Sequence, residues 1–368
     1  MSAKKVFIIV GTRPNFIKVT QFKRVAKQYP GIEFVILHTG QHFDEKMADV
    51  FFRQFNLIPD VFMNVPQGSP NTQMAEIMLR LEEQIHLHQP ALMIVVGDVN
   101  STFAAALTAN KMNVPIAHLE SGLRSFDRSM PEEHNRVLTD AITDYFFVTE
   151  QTGMDHLLQE GKNKEQLYFV GNTMIDTMVA FEKEIDASDV LSKYQLNKDG
   201  FVLMTMHRPA TVDNLDGLNK LSVLIKEVTA KYKIIFPIHP RTVKMLQKHG
   251  LYDDFAGNAN LILTEPLDYF AFQKLIKNAK FILTDSGGIQ EESTFLLVPC
   301  LTLRPNTERP VTVTLGTNEL LPFDLNLIKE RIKAIEEGRF KQGSIPPLWD
   351  GKATERVVQV LDKVLNSK

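Results

Sequence analysis

The sequence has a single cysteine, Cys300, among its 368 residues. One thiol cannot form an internal disulfide, so the disulfide-stapled scaffolds of small secreted proteins are excluded. The N-terminus, MSAKK followed by a predicted strand, lacks the n-region, the long apolar run and the small-residue cleavage site of a secretory signal. We therefore expect a cytoplasmic protein.

Long apolar runs and an excess of positive charge are also missing. The longest apolar stretches, such as VFIIVG and ALMIVVG, are far shorter than the roughly 20 residues that cross a bilayer. The formal net charge of −3 provides no basic field to attract a phosphate backbone. We expect neither a membrane-spanning segment nor a nucleic-acid partner.

Short runs rich in Val, Ile and Phe alternate with longer amphipathic stretches, which is the rhythm of a parallel sheet. The predicted strands lie near residues 6–10, 34–38, 92–96, 116–119, 145–148 and 168–170, and again near 201–206, 234–238, 261–263, 281–283 and 300–303. The pattern predicts an α/β fold of two Rossmann-like doubly wound domains. We place them at residues 1–170 and 171–353, with a C-terminal helix at 354–368 that can join the first domain.

Ligands of open parallel sheets bind outside the carboxyl ends of the strands, and unusual residues follow the predicted strands. The first strand runs into Gly11-Thr12-Arg13-Pro14 and then Lys18, so two cations lie near a helix start. This arrangement suits a phosphate, although a tight turn with solvated Arg13 and Lys18 is the alternative. No GxGxxG spacing is present, which argues against a dinucleotide fingerprint.

The stretch TDSGGIQEE at 284–292 is a second candidate for binding an anion. Ser286, Gly287 and Gly288 open a predicted helix whose N–H groups and positive dipole end favour a phosphate. The carboxylate of Glu292 can accept both hydroxyls of a ribose. In the alternative interpretation, Asp285 and Ser286 simply cap the helix.

Three carboxylates follow strands of the first half: Asp98 in GDVNST, Glu120 in HLESGLRS and Glu132 in MPEEHNR. Their positions, with His118 nearby, indicate acid/base chemistry. Each also has a structural interpretation. Asp98 can cap a helix that begins near residue 101, Glu120 can pair with Arg124, and Glu132 can form a capping box with Ser129 while pairing with Arg136.

Further charged residues follow strands of the second half. His207 follows one strand, His239 and Arg241 follow the next, and Arg309 follows the strand that contains Cys300. They can contact a diphosphate, although a histidine at a strand end is often only a packing residue. HExxH spacing and a cysteine cluster are both missing, so we expect no metal.

The ordered motifs identify a resemblance that covers essentially the whole chain. They are GTRPNFIK, HTGQHFD, GDVNST, HLESGLRS, MPEEHNR, GNTMID, MHRP, PIHPR, EPLDYFAF, TDSGGIQEE and NTERP. Together they resemble the non-hydrolysing bacterial UDP-N-acetylglucosamine 2-epimerases. The resemblance implies a GT-B-like pair of domains with a central cleft, with UDP held mainly by the second domain. It also implies a homodimer and no cofactor.

The resemblance assigns roles to residues at the matching positions. Asp98, Glu120, Glu132 and His207 would form the catalytic set, and the substrate-binding set would be Arg13, Lys18, Arg136, Phe272, Ser286, Gly287, Gly288, Glu292 and Arg309. In the implied reaction, a proton leaves sugar carbon 2 while UDP leaves carbon 1. A 2-acetamidoglucal forms, and UDP returns with protonation on the other face.

One motif departs from the family pattern. Where His-Arg-Arg-Glu-Asn is common, this chain has HRPATVDN at 207–214, so the allosteric UDP-sugar site of many relatives is not expected. Phe16 and the GQHF stretch look like a branch that acts on UDP-2,3-diacetamido-2,3-dideoxy-glucuronate. A hydrolysing epimerase, a GT-B glycosyltransferase and a non-catalytic UDP-sugar-binding regulator remain alternatives.

Overall fold

The protein is described by a computed structural model over residues 3–40 and 52–366. These residues form two units. Unit 1 combines the described residues of Met1–Ala180 and Pro347–Lys368, and unit 2 is Phe181–Pro346. Each unit has its own parallel sheet covered by helices.

The sheet of unit 1 has seven parallel strands in the order β3-β2-β1-β4-β5-β6-β7. The strands are β1 Lys4–Val10, β2 Ile32–His38, β3 Val61–Phe62, β4 Leu92–Val96, β5 Ile116–Ser121, β6 Tyr145–Val148 and β7 Leu167–Phe169. The strand order reverses between β1 and β4, and ligands of doubly wound sheets bind at such a reversal.

Helices connect these strands. They are Arg13–Ile17, Phe22–Ala26, Pro70–His88, Asn100–Lys111, Pro131–Ala141, Gln151–Gln159, Thr173–Ala180 and Ala353–Asn366, with a 3₁₀ turn at Lys164–Gln166. No helix in the described part of the chain is both long and apolar enough to span a membrane.

The sheet of unit 2 has six parallel strands in the order β10-β9-β8-β11-β12-β13. The strands are β8 Phe201–Thr205, β9 Lys233–Pro237, β10 Leu261–Thr264, β11 Phe281–Thr284, β12 Cys300–Leu303 and β13 Asn318–Leu321. The helices are Glu182–Ala187, Val190–Lys193, Pro209–Val212, Leu215–Thr229, Pro240–Lys248, Tyr252–Ala256, Tyr269–Asn278, Gly288–Phe295, Pro310–Thr314 and Leu325–Glu336. Here the strand order reverses between β8 and β11.

The predicted α/β fold with two Rossmann-like doubly wound domains is confirmed. The central strands are buried on both faces, as in β4, where all five residues are buried. Strands covered by helices on both faces read as continuous apolar runs, so the sequence reveals them. The prediction missed β3, which has two residues, and β13, whose polar Asn318 and Glu319 interrupt the apolar pattern.

The boundaries between the units are 180/181 and 346/347, not 170/171 and 353/354. The reason is that helix Thr173–Ala180 holds the C-terminal segment. The buried Asp176 carboxylate accepts hydrogen bonds from the N–H groups of Ala353 and Thr354, at the start of the last helix. In the same segment, Trp349 is buried and its indole N–H donates to the Thr149 carbonyl at 3.0 Å.

Gly171 lies where the C-terminal segment contacts the end of the first segment of unit 1. Its φ is +85°, and a Cβ built on it would lie 2.1 Å from the carbonyl oxygen of Leu348. Only glycine avoids this clash, and a left-handed φ alone costs another residue about 1–2 kcal/mol. Gly161 has a similar φ of +81° with nothing within 4 Å of a built Cβ.

The two glycines form a matched pair for a stability test. We expect Gly171→Ala to lower the free energy of unfolding by about 3 kcal/mol or more, because backbone strain and overpacking add. Gly161→Ala should cost only about 1 kcal/mol, for the backbone conformation alone. Thermal unfolding of both variants measures the difference, and equal shifts of the two melting temperatures would contradict the close approach to Leu348.

Candidate functional site

Lys18 and Glu120 form a buried ion pair at the carboxyl edge of the unit 1 sheet. The Lys18 ammonium donates a hydrogen bond to Glu120 Oε2, and both side chains are more than nine-tenths buried. Lys18 follows the first helix after β1, and Glu120 lies near the end of β5. The interpretation of Lys18 as a solvated cation is therefore wrong, whereas Arg13 is half-buried at the start of that helix.

The backbone at Glu120 is strained. Its φ is +74°, a left-handed value that costs a non-glycine residue about 1–3 kcal/mol and that clusters at functional sites. Gly97, with φ +69°, lies beside it, since a Cβ there would lie 3.4 Å from Glu120 Oε2 and 3.0 Å from Asn15 Nδ2. The alternative pairing of Glu120 with Arg124 is wrong, because Arg124 binds Asp140 and Glu160 instead.

Asp98 follows β4 and pairs with Arg136 from helix Pro131–Ala141. Arg136 Nη2 donates to Asp98 Oδ2 at 2.5 Å, and the Asp98 side chain remains one-quarter exposed. Asp98 does not cap the next helix, whose N-cap residue is Val99 with no side-chain hydrogen bond. A second carboxylate of unit 1 is therefore also held by a cation at the strand-order reversal.

The two neighbouring glutamates of MPEEHNR have different environments. Glu132 is exposed in the first turn of helix Pro131–Ala141. The proposed capping box with Ser129 is wrong, since Met130 is the N-cap residue and the Ser129 hydroxyl donates to Asp127. Glu133, which the sequence prediction did not select, is buried.

Glu133 holds the loop that joins β5 to this helix. Its carboxylate accepts the backbone N–H groups of Ser125 and Phe126, each at 2.9 Å, and pairs with Arg136 at 2.7 Å. Burial alone raises the pKa of Glu133, but these hydrogen bonds and the Arg136 charge outweigh burial and lower it. The spacing of Glu133 three residues before Arg136 was a signal in the sequence for this ion pair.

In unit 2, His207 and Asp285 meet at the strand-order reversal between β8 and β11. The fully buried Asp285 carboxylate accepts the backbone N–H groups of His207 at 2.9 Å and Arg208 at 2.8 Å, and lies 3.1 Å from His207 Nδ1. Burial by itself raises the pKa of Asp285, but the His207 ring and these N–H groups have the larger effect, so the pKa is lowered. Asp285 therefore holds the histidine loop rather than capping a helix.

Helix Gly288–Phe295 begins without a side-chain cap. Gly287 is its N-cap residue and forms no side-chain hydrogen bond, while the Ser286 N–H donates to Thr284 Oγ1 at 2.9 Å. The interpretation of Asp285 and Ser286 as caps is therefore wrong. Gly287 also permits close packing, since a Cβ there would lie 2.8 Å from Glu308 Oε1. The positive end of this helix dipole lies at the same strand edge as His207.

Buried ion pairs surround this helix start. Arg309 binds Glu291 at 2.7 Å and Glu308 at 2.6 Å, and Arg304 binds Glu308 at 3.1 Å. Burial lowers the pKa of Arg304 by more than the nearby Glu308 raises it. The predicted binding residue Arg309 is thus fixed among carboxylates close to the helix start.

Glu292 and Phe272 lie on neighbouring helices of unit 2. The Glu292 carboxylate is buried and accepts a hydrogen bond from the amide of Gln273, the residue after Phe272. Phe272 is partly buried against the core of this unit. The candidate ribose and uracil contacts therefore lie on adjacent helices.

The His239 ring lies 5.7 Å from the His207 ring, centroid to centroid. Burial and the nearby His207 and Arg241 charges lower the pKa of His239. Arg241 forms a two-point pair with Asp213, which belongs to the part of the HRPATVDN run that departs from the family pattern.

Within residues 3–40 and 52–366, no group of three or more His, Cys, Asp or Glu side chains is arranged to hold a metal ion. The GQHF stretch extends past Gly40, and its residues 41–43 lie outside the described residues.

Known proteins are similar to this chain in both sequence and fold. Residues 24–362 match the family model described as UDP-N-acetylglucosamine 2-epimerase. The chain is 40% identical over 97% of its length to the UDP-N-acetylglucosamine 2-epimerase of Methanocaldococcus jannaschii, of which it covers 98%. It is also 32% identical to the UDP-2,3-diacetamido-2,3-dideoxy-D-glucuronate 2-epimerase of Pseudomonas aeruginosa. That match covers 98% of this chain and 100% of the relative.

A crystal structure of the Methanocaldococcus jannaschii UDP-GlcNAc 2-epimerase in complex with UDP-GlcNAc and UDP is similar to this chain. The TM-score is 0.87 at 39% identity, with 97% of this chain and 99% of that chain covered.

The Glu133 loop anchor predicts a specific dependence of stability on pH. A carboxyl whose pKa is lowered in the folded state stabilises the fold above its unfolded pKa, near 4.5, and this contribution is lost as the pH falls through the folded pKa. At pH 7 we expect Glu133→Gln to cost about 1–3 kcal/mol. The exposed Glu132→Gln should change stability by less than about 0.5 kcal/mol.

Thermal unfolding at pH 7 and at pH 3 tests this expectation. The difference between wild type and Glu133→Gln should be smaller at pH 3, because below about 4.5 the unfolded carboxyl takes up a proton more readily than the folded one. A difference of the same size at both pH values would show that Glu133 acts through its shape and not its charge.

Proposed function

The chain belongs to the UDP-N-acetylglucosamine 2-epimerase family, and we propose that it converts UDP-N-acetylglucosamine to UDP-N-acetylmannosamine without hydrolysing it. The observation that carries the proposal is the placement of cation-paired carboxylates, Glu120 with Lys18 and Asp98 with Arg136, at the strand-order reversal of unit 1. Unit 2, described by itself, has an uncapped helix start and a histidine at its own strand-order reversal.

We propose that unit 2 binds the UDP group. The N–H groups at Gly287 and Gly288, the Ser286 hydroxyl and the helix dipole suit the diphosphate, as at other helix N-termini. His207, oriented by Asp285, would donate to the same phosphates. Arg309 lies beside this helix start, paired with Glu291 and Glu308.

Glu292 and Phe272 would recognise the nucleoside. A carboxylate has two oxygens and several lone pairs, so Glu292 can keep its Gln273 hydrogen bond and still accept from a ribose hydroxyl. The Phe272 ring on the adjacent helix offers an apolar surface for uracil.

Inversion at carbon 2 requires that a proton leave one face of the sugar and return on the other. A single carboxylate cannot readily reach both faces, so the set Asp98, Glu120 and Glu132 is suited to the reaction in number and type. Lys18 and Arg136 fix the orientation of two of these carboxylates. Glu132 is exposed in this structure, so its contact with the sugar stays a prediction.

The steps balance without a redox partner. The base takes the proton from carbon 2, the C1–O bond breaks with its electron pair going to UDP, and a double bond forms between the two carbons. In the return, UDP oxygen attacks carbon 1 and an acid delivers a proton to carbon 2. The leaving diphosphate gains negative charge, and donors placed for developing charge are usually the largest electrostatic contribution to catalysis.

The diacetamido-glucuronate is the second candidate substrate, because a relative of that name matches nearly the whole chain. Identities of 39% and 40% to two relatives named UDP-N-acetylglucosamine 2-epimerase support that sugar as our first candidate.

Proton NMR in deuterated water tests the reaction directly. With UDP-N-acetylglucosamine alone, we expect UDP-N-acetylmannosamine to accumulate with deuterium at carbon 2, because the abstracted proton exchanges with solvent. Release of free N-acetylmannosamine in step with UDP would instead show a hydrolysing epimerase. An unchanged spectrum that responds only to the diacetamido-glucuronate would reassign the substrate, and loss of the UDP-sugar only with an acceptor would show a glycosyltransferase.

The role of Glu120 is tested by Glu120→Gln. We expect turnover to fall by about 10²-fold or more, the usual contribution of general acid–base catalysis, with UDP affinity kept within about twofold. The exposed Glu165→Gln is the matched control and should leave both unchanged. Unchanged turnover in Glu120→Gln would remove Glu120 from the acid/base set, and parallel loss of UDP binding would indicate a structural role.

A further inference from the structure

His118 is a fully buried histidine of β5 whose two ring nitrogens both have partners. Its Nδ1 lies 2.6 Å from Asp140 Oδ1, and its Nε2 lies 2.8 Å from the carbonyl oxygen of Gly97. Both partner atoms are oxygens of acceptor groups. The ring therefore faces an acceptor on each side.

The hydrogen-bond pattern decides where the protons are. A carbonyl oxygen only accepts, so His118 Nε2 carries a proton. The other oxygen of Asp140 accepts from the Gly122 N–H at 3.1 Å and lies 2.7 Å from Arg124 Nη1. An aspartate that receives these donors is ionised and cannot supply the proton to Nδ1, so Nδ1 carries one as well.

The charges of the surrounding cluster balance with this assignment. Arg124 also pairs with Glu160 at 2.7 Å. An imidazolium and a guanidinium then face two carboxylates, which satisfies the requirement that buried charges be paired. Burial by itself raises the pKa of Asp140, but the charges and hydrogen bonds of His118 and Arg124 have the larger effect, so the pKa is lowered.

The cluster connects the two loops that carry the proposed acid/base carboxylates. Gly97, which accepts from His118, directly precedes Asp98, and Gly122, which donates to Asp140, comes two residues after Glu120. Gly97 and Gly122 both have left-handed φ values, +69° and +78°, which glycine adopts without strain.

We propose that His118 carries a proton on both ring nitrogens in the folded protein and is a positioning residue, which holds the Asp98 and Glu120 loops in register through Gly97 and Asp140. The role rests on the proposed epimerase function, since it acts through those two carboxylates. The charge state stands on the hydrogen bonds alone.

His38 provides an internal contrast. It is also buried, but its Nδ1 accepts the Gly40 N–H at 3.0 Å, which requires an unprotonated nitrogen. Burial lowers the pKa of His38 to about 4. One protein thus holds one buried neutral ring and one buried charged ring.

Nitrogen-15 NMR of the histidine side chains in the full-length protein tests the charge state. At pH 7.5 we expect His118, assigned by its absence from His118→Gln, to show two protonated ring nitrogens. His38 should show one protonated and one bare nitrogen. A bare nitrogen on His118 at this pH would overturn the proposal.

Kinetics test the positioning role. We expect His118→Gln and the near-isosteric Asp140→Asn to lower kcat for deuterium incorporation at carbon 2 by about tenfold or more, since small misplacements of reacting groups cost that much. UDP affinity, which we assign to unit 2, should change by less than about twofold. The exposed His86→Gln is the control and should match wild type.

The outcomes separate the two proposals. If wild type incorporates no deuterium from any candidate UDP-sugar, the proposed function fails, whatever the charge state of His118. If wild type is active and a folded Asp140→Asn retains its kcat, the positioning role fails and the function stands. A loss of UDP affinity that matches the loss of kcat would also overturn the positioning role, because it would show general damage.

Discussion

In both units a fully buried aspartate accepts hydrogen bonds from backbone N–H groups of a loop at the carboxyl edge of the sheet. Asp140 accepts from Gly122, and Asp285 accepts from His207 and Arg208. Each aspartate also lies beside a histidine ring. A buried carboxylate is stable only when donors surround it, so each aspartate and its loop require one another. The geometry of the candidate site depends on this constraint.

The chemically active groups are built around these supports. Glu120 and Asp98 are each held by a cation, and Glu120 keeps a backbone conformation that other glutamates avoid. Such strain persists because the surrounding hydrogen bonds over-determine it. The two aspartates are more completely buried than the groups proposed to react. This is the expected division between residues that position and residues that must meet a substrate.

Sequence reasoning selected the edge residues and missed their supports. Asp98, Glu120 and His207 follow apolar strands, and residues after parallel strands meet at one edge whatever the details of packing. Glu133 and Asp140 lie inside a helix, where a carboxylate looks like part of a solvated face. Their burial depends on partners from other elements. The sequence interpretations that relied on local helix capping, at Asp98, Ser129 and Asp285, were wrong for the same reason.

The sequence by itself determined the two parallel sheets, most of their strands and the loops that carry the family motifs. Apolar runs and the order of motifs are properties of the sequence, so they can be read without a structure. Only the tertiary structure decided which charges pair and where the C-terminal segment packs. Lys18 meets Glu120 across 102 positions, and Asp176 meets Thr354 across 178. Contacts at such separations depend on the assembled sheet and on burial. Neither can be predicted from the spacing of neighbouring residues in the sequence.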